Sequence, residues 1–208
     1  MRAGPSVEAV LFDFGSVLTQ PGPVREELAR YERQLGLPAG ALEETLGSGP
    51  HWEAASTGAI SEEEYWRRAA AGLEERLPPA FGRFRQGLLL YEPLNPAVVE
   101  LAWRIRGQAR LGLLSNATAS LGPYLAGLPR LCGLFDDVVI SAEVGLRKPD
   151  PAIYELAARR LGVPLGRAVL VDDKPRNTLA ARRIGMPAIT YTGIENLCSE
   201  LRRHGFVL

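Results

Sequence analysis

Five short runs rich in Val, Ile and Leu punctuate the chain: Val7 to Phe12, Arg110 to Leu114, Asp137 to Ile140, Ala168 to Val171, and Pro187 to Tyr191. Their hydrophobicity is continuous rather than alternating. That pattern predicts strands covered on both faces, as in a parallel sheet whose crossovers are helices. The segments between the later runs carry helical spacing. Pro96 to Gly107 places a proline at the first helical position behind Asn95 as a cap. Pro151 to Leu161 repeats the arrangement, with Asp150 as cap and Gly162 as stop. Arg176 to Ile184 and Ile194 to His204 read as further helices, ended by Gly185 and Gly205.

Between the first and second runs lie roughly ninety residues, far more than a crossover helix needs. Pro23 to Leu35, Pro38 to Leu46 and Ser61 to Leu77 show helical spacing of Leu, Ala and aromatic residues, separated by Gly and Pro clusters. Ser61 and Glu64 have capping-box spacing ahead of Tyr65 and Trp66. The expected fold class is α/β: a Rossmann-like parallel sheet sandwiched by helices, formed by residues 1–18 and 92–208. Residues 19–91 are expected to form a small helical cap inserted after the first strand.

Composition narrows the partners. A chain of 208 residues accommodates one such core with a modest insertion. Lys plus Arg and Asp plus Glu number 24 each, so no overall field draws the chain to nucleic acid or to an anionic membrane. A charged ligand must be held locally. Cys132 and Cys198 match no CxxC or zinc spacing and are expected to be buried or indifferent thiols. The first residues lack a signal peptide's apolar stretch, and no apolar run is long enough to span a bilayer. The expectation is a cytoplasmic monomer or homodimer with a small-molecule partner, no nucleic acid and no membrane.

Ligands of open parallel sheets bind outside the carboxyl ends of the strands. The first run ends in Asp13, the second in Ser115-Asn116 and the fourth in Asp172-Asp173, so three strands deliver polar groups to one edge. A single polar residue after a strand is an ordinary turn signal. Three, with a separate Lys148-Pro149-Asp150 turn, point to a site.

Through AVLFDFGSVL, LGLLSNAT, GLRKPDPAIY and VLVDDKPRN, in that order, the chain resembles the haloacid dehalogenase superfamily. It looks most like the branch with the phosphatase domain of soluble epoxide hydrolase and bacterial sugar-phosphate phosphatases. The resemblance implies a phosphatase in which Asp13 attacks phosphorus and forms an aspartyl-phosphate that water hydrolyses. It implies a magnesium ion held by Asp13, the Gly15 carbonyl and Asp172, with Lys148 as a second positive charge. Ser115 and the Asn116 amide would donate hydrogen bonds to the phosphoryl oxygens, helped by backbone N–H groups of the Gly15 to Val17 turn. Asp173 either reaches the metal through water or orients Lys148, and orientation is preferred. Asn177 either secures this loop or caps the next helix. Since Lys148 balances charge, Lys148→Met is expected to cripple activity while leaving the fold intact.

One departure matters. Phosphatases of the resembled family carry a second aspartate two residues after the nucleophile as general acid and base, and this chain has Gly15 there. A missing general acid forfeits roughly a hundred- to ten-thousandfold in rate, so the reading is of a slow enzyme or one with a good leaving group. A non-catalytic phosphometabolite-binding or partner-regulating protein is the alternative. A 2-haloacid dehalogenase is less favoured, because the double aspartate replaces that group's serine-containing, metal-independent fourth motif. Trp52, Tyr65 and Trp66 are expected in the cap core, His51 at substrate or in solvent, Arg147 solvated on its loop in preference to neutralising phosphate, and Ser16 and Thr19 near phosphate or the cap hinge.

Overall fold

The computed structural model describes residues 7–69 and 92–208. Five strands, β1 (Ala9–Phe12), β2 (Arg110–Ser115), β3 (Asp137–Ile140), β4 (Ala168–Asp172) and β5 (Ala188–Thr190), form one parallel sheet in the order β3-β2-β1-β4-β5. The chain builds outward from β1 to one edge and then crosses to the other. The carboxyl ends of β1 and β4 therefore flank the point where strand order reverses.

Both faces are covered, as continuous hydrophobicity requires. Val10 and Phe12 enter one core with Leu111, Leu113, Val169 and Val171; Ala9 and Leu11 enter the other with Leu114, Ala168 and Leu170. The covering helices follow their sequence signals. Helices are numbered in chain order: α1 (Pro23–Leu35), α2 (Ala41–Gly47), α3 (Gly49–Ser56) and α4 (Glu62–Ala69) lie between β1 and β2. Then come α5 (Pro96–Ile105), α6 (Leu121–Ala126), α7 (Ser141–Val144), α8 (Pro151–Arg160), α9 (Pro175–Arg183) and α10 (Ile194–Arg203). Asn95 caps α5 by accepting from Val98 N, and Asp150 caps α8 by accepting from Ala152 N at 2.9 Å.

Among the described residues, the inserted helices enclose a core of their own, built on Leu28, Tyr31, Leu42, Leu46, Trp52, Tyr65 and Trp66. Trp52 and Trp66 both meet Tyr65 edge-on, at 5.6 and 5.1 Å. The expected helix from Pro38 begins at Ala41. That from Ser61 is seen as α4, its remaining expected residues lying outside those described. Ser61 accepts from Glu64 N at 3.1 Å, the predicted cap, while the Glu64 carboxylate turns to Arg67 and Arg68. Two linkers joining the inserted helices to the sheet pair with each other: Gln20 N donates to Pro93 O and Asn95 N to Leu18 O.

The inserted helices also touch the sheet layer away from these linkers. Gly58 has φ +72° and lies so close to Ala142 that a Cβ there would come within 2.4 Å of its carbonyl oxygen. Thr118 Oγ1 and Ser120 Oγ donate to the Glu62 carboxylate, and Arg147 pairs with Glu53 at 2.8 Å. Arg147 is thus a tie across the two layers, with only 16% of its side chain exposed, and not the solvated loop residue expected. Cys132 is exposed and Cys198 half-buried, both free.

Candidate active site

Asp13 follows β1 directly, its N–H donating to Val171 O at 2.9 Å on β4. The chain then makes a tight turn over Phe14–Leu18 in which Ser16 takes φ +59°. Thr19 closes this turn: its hydroxyl oxygen accepts from Ser16 N at 3.1 Å, and the hydroxyl donates to Phe14 O at 3.4 Å. The Ser16 N–H and the Thr19 hydroxyl are therefore committed inside the turn, which corrects the expectation that they serve a phosphate. Phe14 N donates to Asp13 Oδ1 at 2.8 Å, which fixes the carboxylate.

Lys148 reaches the same point from the loop before α8. Its side chain is 1% exposed, and its ammonium donates to Leu114 O and Asp172 Oδ2, both at 2.7 Å, and lies 3.0 Å from Asp13 Oδ1. All three ammonium hydrogens thus have an acceptor. The Lys148 backbone is held as firmly, because Asn116 Oδ1 accepts from Lys148 N at 2.8 Å and Asn116 Nδ2 donates to Lys148 O at 2.7 Å. The Asn116 side-chain amide is thus turned to this lysine. Ser115, at the end of β2, lines the cavity with Asn116.

The two aspartates after β4 divide their work unlike the expectation. Asp172 is fully buried, and both its oxygens are engaged: Oδ2 by Lys148, Oδ1 by Lys174 N at 2.8 Å, and both by Asn177 Nδ2 at 2.9 and 3.0 Å. Asp172, not Asp173, orients Lys148, and Asn177 secures the loop. The Asp173 Oδ1 is buried without a hydrogen-bond partner. Oxygens of Asp13, Asp172 and Asp173 lie within 4.8 Å of one another.

Three carboxylates crowd one ammonium here, in a place water barely enters. Burial raises the Asp13 carboxyl from its ordinary 3.8 to about 7; Lys148 opposes the rise, and Asp172 and Asp173 add to it. Burial also raises Asp173. For Lys148 burial acts downward, but Asp13 and Asp172 prevail and hold its pKa above the ordinary lysine range.

Above these groups is a cavity of about 210 Å³ walled on the far side by Arg25, Glu43 and Trp52 from the inserted helices. It opens into a second space of about 230 Å³ in which Val24, Leu28, Leu46 and Trp52 stand beside the charged Arg25, Glu92, Arg147, Lys174 and Arg176. Trp52 therefore serves the cap core and the cavity wall together. His51 is exposed and lines neither space. Gly15 sits at the floor with φ −65° and ψ 133°, a conformation open to any residue, and a Cβ there would meet nothing within 4 Å.

A family model described as haloacid dehalogenase-like hydrolase matches residues 7–185. The chain is 25% identical over 197 residues to the sesquiterpene phosphatase astK of Aspergillus oryzae, covering 94% of this chain and 95% of that one. It is 26% identical over 215 residues to the bifunctional epoxide hydrolase 2 of Sus scrofa, covering 95% of this chain but only 39% of that larger protein. Among solved structures, a HAD family enzyme of Bacteroides thetaiotaomicron in complex with magnesium and inorganic phosphate superposes with a TM-score of 0.69 at 18% identity, over 88% of this chain and 93% of that one. L-2-haloacid dehalogenases share the fold as well, with TM-scores of 0.63 and 0.66. At these identities the structural likeness shows the fold alone.

Proposed function

Because the chain belongs to the haloacid dehalogenase-like hydrolase family, we propose that it is a magnesium-dependent phosphomonoester hydrolase working through an aspartyl-phosphate on Asp13. The observation that carries this reading is the Lys148 ammonium bridging Asp13 and Asp172 beside an unpartnered Asp173 oxygen. On this reading residues 1–18 and 92–208 are the catalytic core and 19–91 the cap that selects substrate.

The residues fit a divalent cation. Three carboxylates share a single ammonium, and Asp173 Oδ1 is buried without a partner, at a cost of several kcal/mol in such surroundings. Asp13, the Gly15 carbonyl and Asp173 would hold the ion directly, with Asp172 engaged by Lys148 and Asn177. Glycine at position 15 still offers its carbonyl. Bound there, magnesium supplies charge against the phosphoryl oxygens and orients them.

The chain's own residues then divide the reaction. An oxygen of Asp13 attacks phosphorus in line, and the bond to the leaving oxygen breaks with its electron pair. Lys148, anchored at three points, presents fixed positive charge to the oxygens without reorganising. Ser115 donates to the same oxygens. Water next attacks the phosphorus of the aspartyl-phosphate, releasing orthophosphate and restoring the Asp13 carboxylate. The double aspartate favours phosphate over halide as the group handled. The apolar side of the second space, Val24, Leu28, Leu46 and Trp52, favours a substrate whose organic part presents a non-polar face, in keeping with a relative named for a sesquiterpene, while the basic residues on its other side suit an anionic group.

Hydrolysis of an activated aryl phosphate with and without magnesium tests the reading. Metal-dependent turnover that vanishes in Asp13→Asn is expected. Intact binding of phosphometabolites without turnover across a broad panel would favour a binding protein, and chloride release from 2-chloropropionate without metal would favour a dehalogenase.

A further inference from the structure

The site as described has no group free to move a proton. Asp13 takes the phosphorus, Asp172 is saturated by Lys148, Lys174 N and Asn177, and position 15 carries no side chain. Of the carboxylates lining the cavity among the described residues, Asp13, Asp173 and Glu43, the last is without a role. We propose that Glu43 is the general base that activates water in the hydrolysis of the aspartyl-phosphate, an inference that rests on Asp13 being the nucleophile.

Glu43 stands in the first turn of α2, and that turn is held rigidly. Glu32 accepts from Gly40 N at 2.9 Å and from Leu42 N at 2.8 Å, and Leu42 and Leu46 anchor the helix in the cap core. The carboxylate is steered by Arg25 Nη2 at 2.6 Å from α1. It faces the catalytic groups across the cavity that an aspartate at position 15 would otherwise enter, and that floor is open because Gly15 has nothing near its would-be Cβ. About half of the Glu43 side chain is exposed, which gives the captured proton a route to solvent.

The step balances without a further reactant. A water oxygen bonds to phosphorus as the bond from phosphorus to the Asp13 oxygen breaks, and that electron pair returns to the Asp13 carboxylate. The water proton passes to a Glu43 oxygen and then to bulk solvent. Leaving-group protonation is not served by this arrangement in its ionised state, which agrees with a preference for good leaving groups.

Rapid-quench hydrolysis of an activated aryl phosphate with magnesium separates the two half-reactions. In Glu43→Gln the release of one equivalent of aryl alcohol per chain should keep its wild-type rate, while steady turnover falls roughly a hundredfold and phosphorylated chains accumulate. Glu44→Gln, one residue on, should behave as wild type. Wild-type steady turnover in Glu43→Gln, or equal slowing of both phases as a merely structural role gives, would overturn the proposal. A wild-type chain with no metal-dependent turnover at all would instead overturn the hydrolase reading, and this inference with it.

Discussion

On the core wall of the cavity, the Lys148 ammonium is sealed from solvent and meets three oxygens within 3.0 Å, whereas on the cap wall Arg25 and Glu43 keep 45% and 49% of their side-chain surface exposed. The core groups come from strand ends and their loops, held by a sheet whose two faces are both packed. Those on the cap come from short helices around a smaller core, tied to the sheet layer by Glu53, Glu62 and the close approach at Gly58. Charge placed on the first wall acts in a low dielectric and costs folding energy; charge on the second is screened and readily exchanged. Phosphoryl transfer sits where geometry is over-determined, whereas the cap wall supplies substrate contacts and, through Glu43, a proton route open to solvent.

Changes on the core wall should therefore be the most severe. Lys148→Met should lower kcat roughly a hundred- to thousandfold and, measured by denaturant unfolding, cost on the order of 3 kcal/mol by leaving buried carboxylates without their cation. The sequence reading expects the fold to be indifferent; the saturation of Lys148 by three acceptors predicts that it is not. A variant as stable as wild type would break the contrast between the walls.

Next in size is a pH effect on the metal-free protein. The folded Asp13 carboxyl has its pKa near 7, above its ordinary 3.8, so between these values the folded state holds a proton that the unfolded state has lost. That contribution to stability is complete below about pH 4 and is lost as pH rises through about 7. In chelator, the melting temperature of wild type should accordingly fall relative to Asp13→Asn between pH 5 and 8, and magnesium should remove most of the difference at pH 8. Parallel curves would sharpen the case that the cation is not needed to balance these charges.

What the sequence disclosed follows the same division. Continuous apolar runs reported all five strands within two residues, since burial on both faces leaves no polar position to blur them. Polar residues directly after those runs, with the separate Lys148 turn, pointed to groups that the fold brings together, Asp13, Ser115, Lys148, Asp172 and Asp173. Which carboxylate holds Lys148 was not legible, because adjacent residues at a strand end point in opposite directions and their roles exchange with the pleat. Helix α3 was also missed: Gly49-Pro50 reads as a turn, yet Pro fits a first helical turn where its N–H is not needed. Glu43 gave no signal, since only the packing of α2 into the cap core brings it to the cavity. The pairing of Arg147 with Glu53 likewise joins segments nearly a hundred residues apart.

Smaller effects belong to the floor and the cap. Gly15→Asp is sterically admissible and should speed hydrolysis of alkyl phosphates by roughly tenfold or more while changing aryl phosphates little, as read from kcat across a leaving-group series. Equal change for both would show that proton supply is not limiting. Glu53→Gln removes an exposed partner of Arg147 and should raise KM no more than about fivefold with kcat unchanged. A large loss of kcat there would place the cap among the rigid parts of the site.

The most direct test of the account is acid quenching of the wild-type protein during turnover of an aryl phosphate with magnesium, followed by mass spectrometry of the peptide containing Asp13. The account predicts that Asp13, and no other residue, gains the mass of one phosphoryl group, and gains it on more chains in Glu43→Gln. Turnover with an unmodified Asp13 under conditions that preserve acyl phosphates, or phosphate on a different residue, would contradict it.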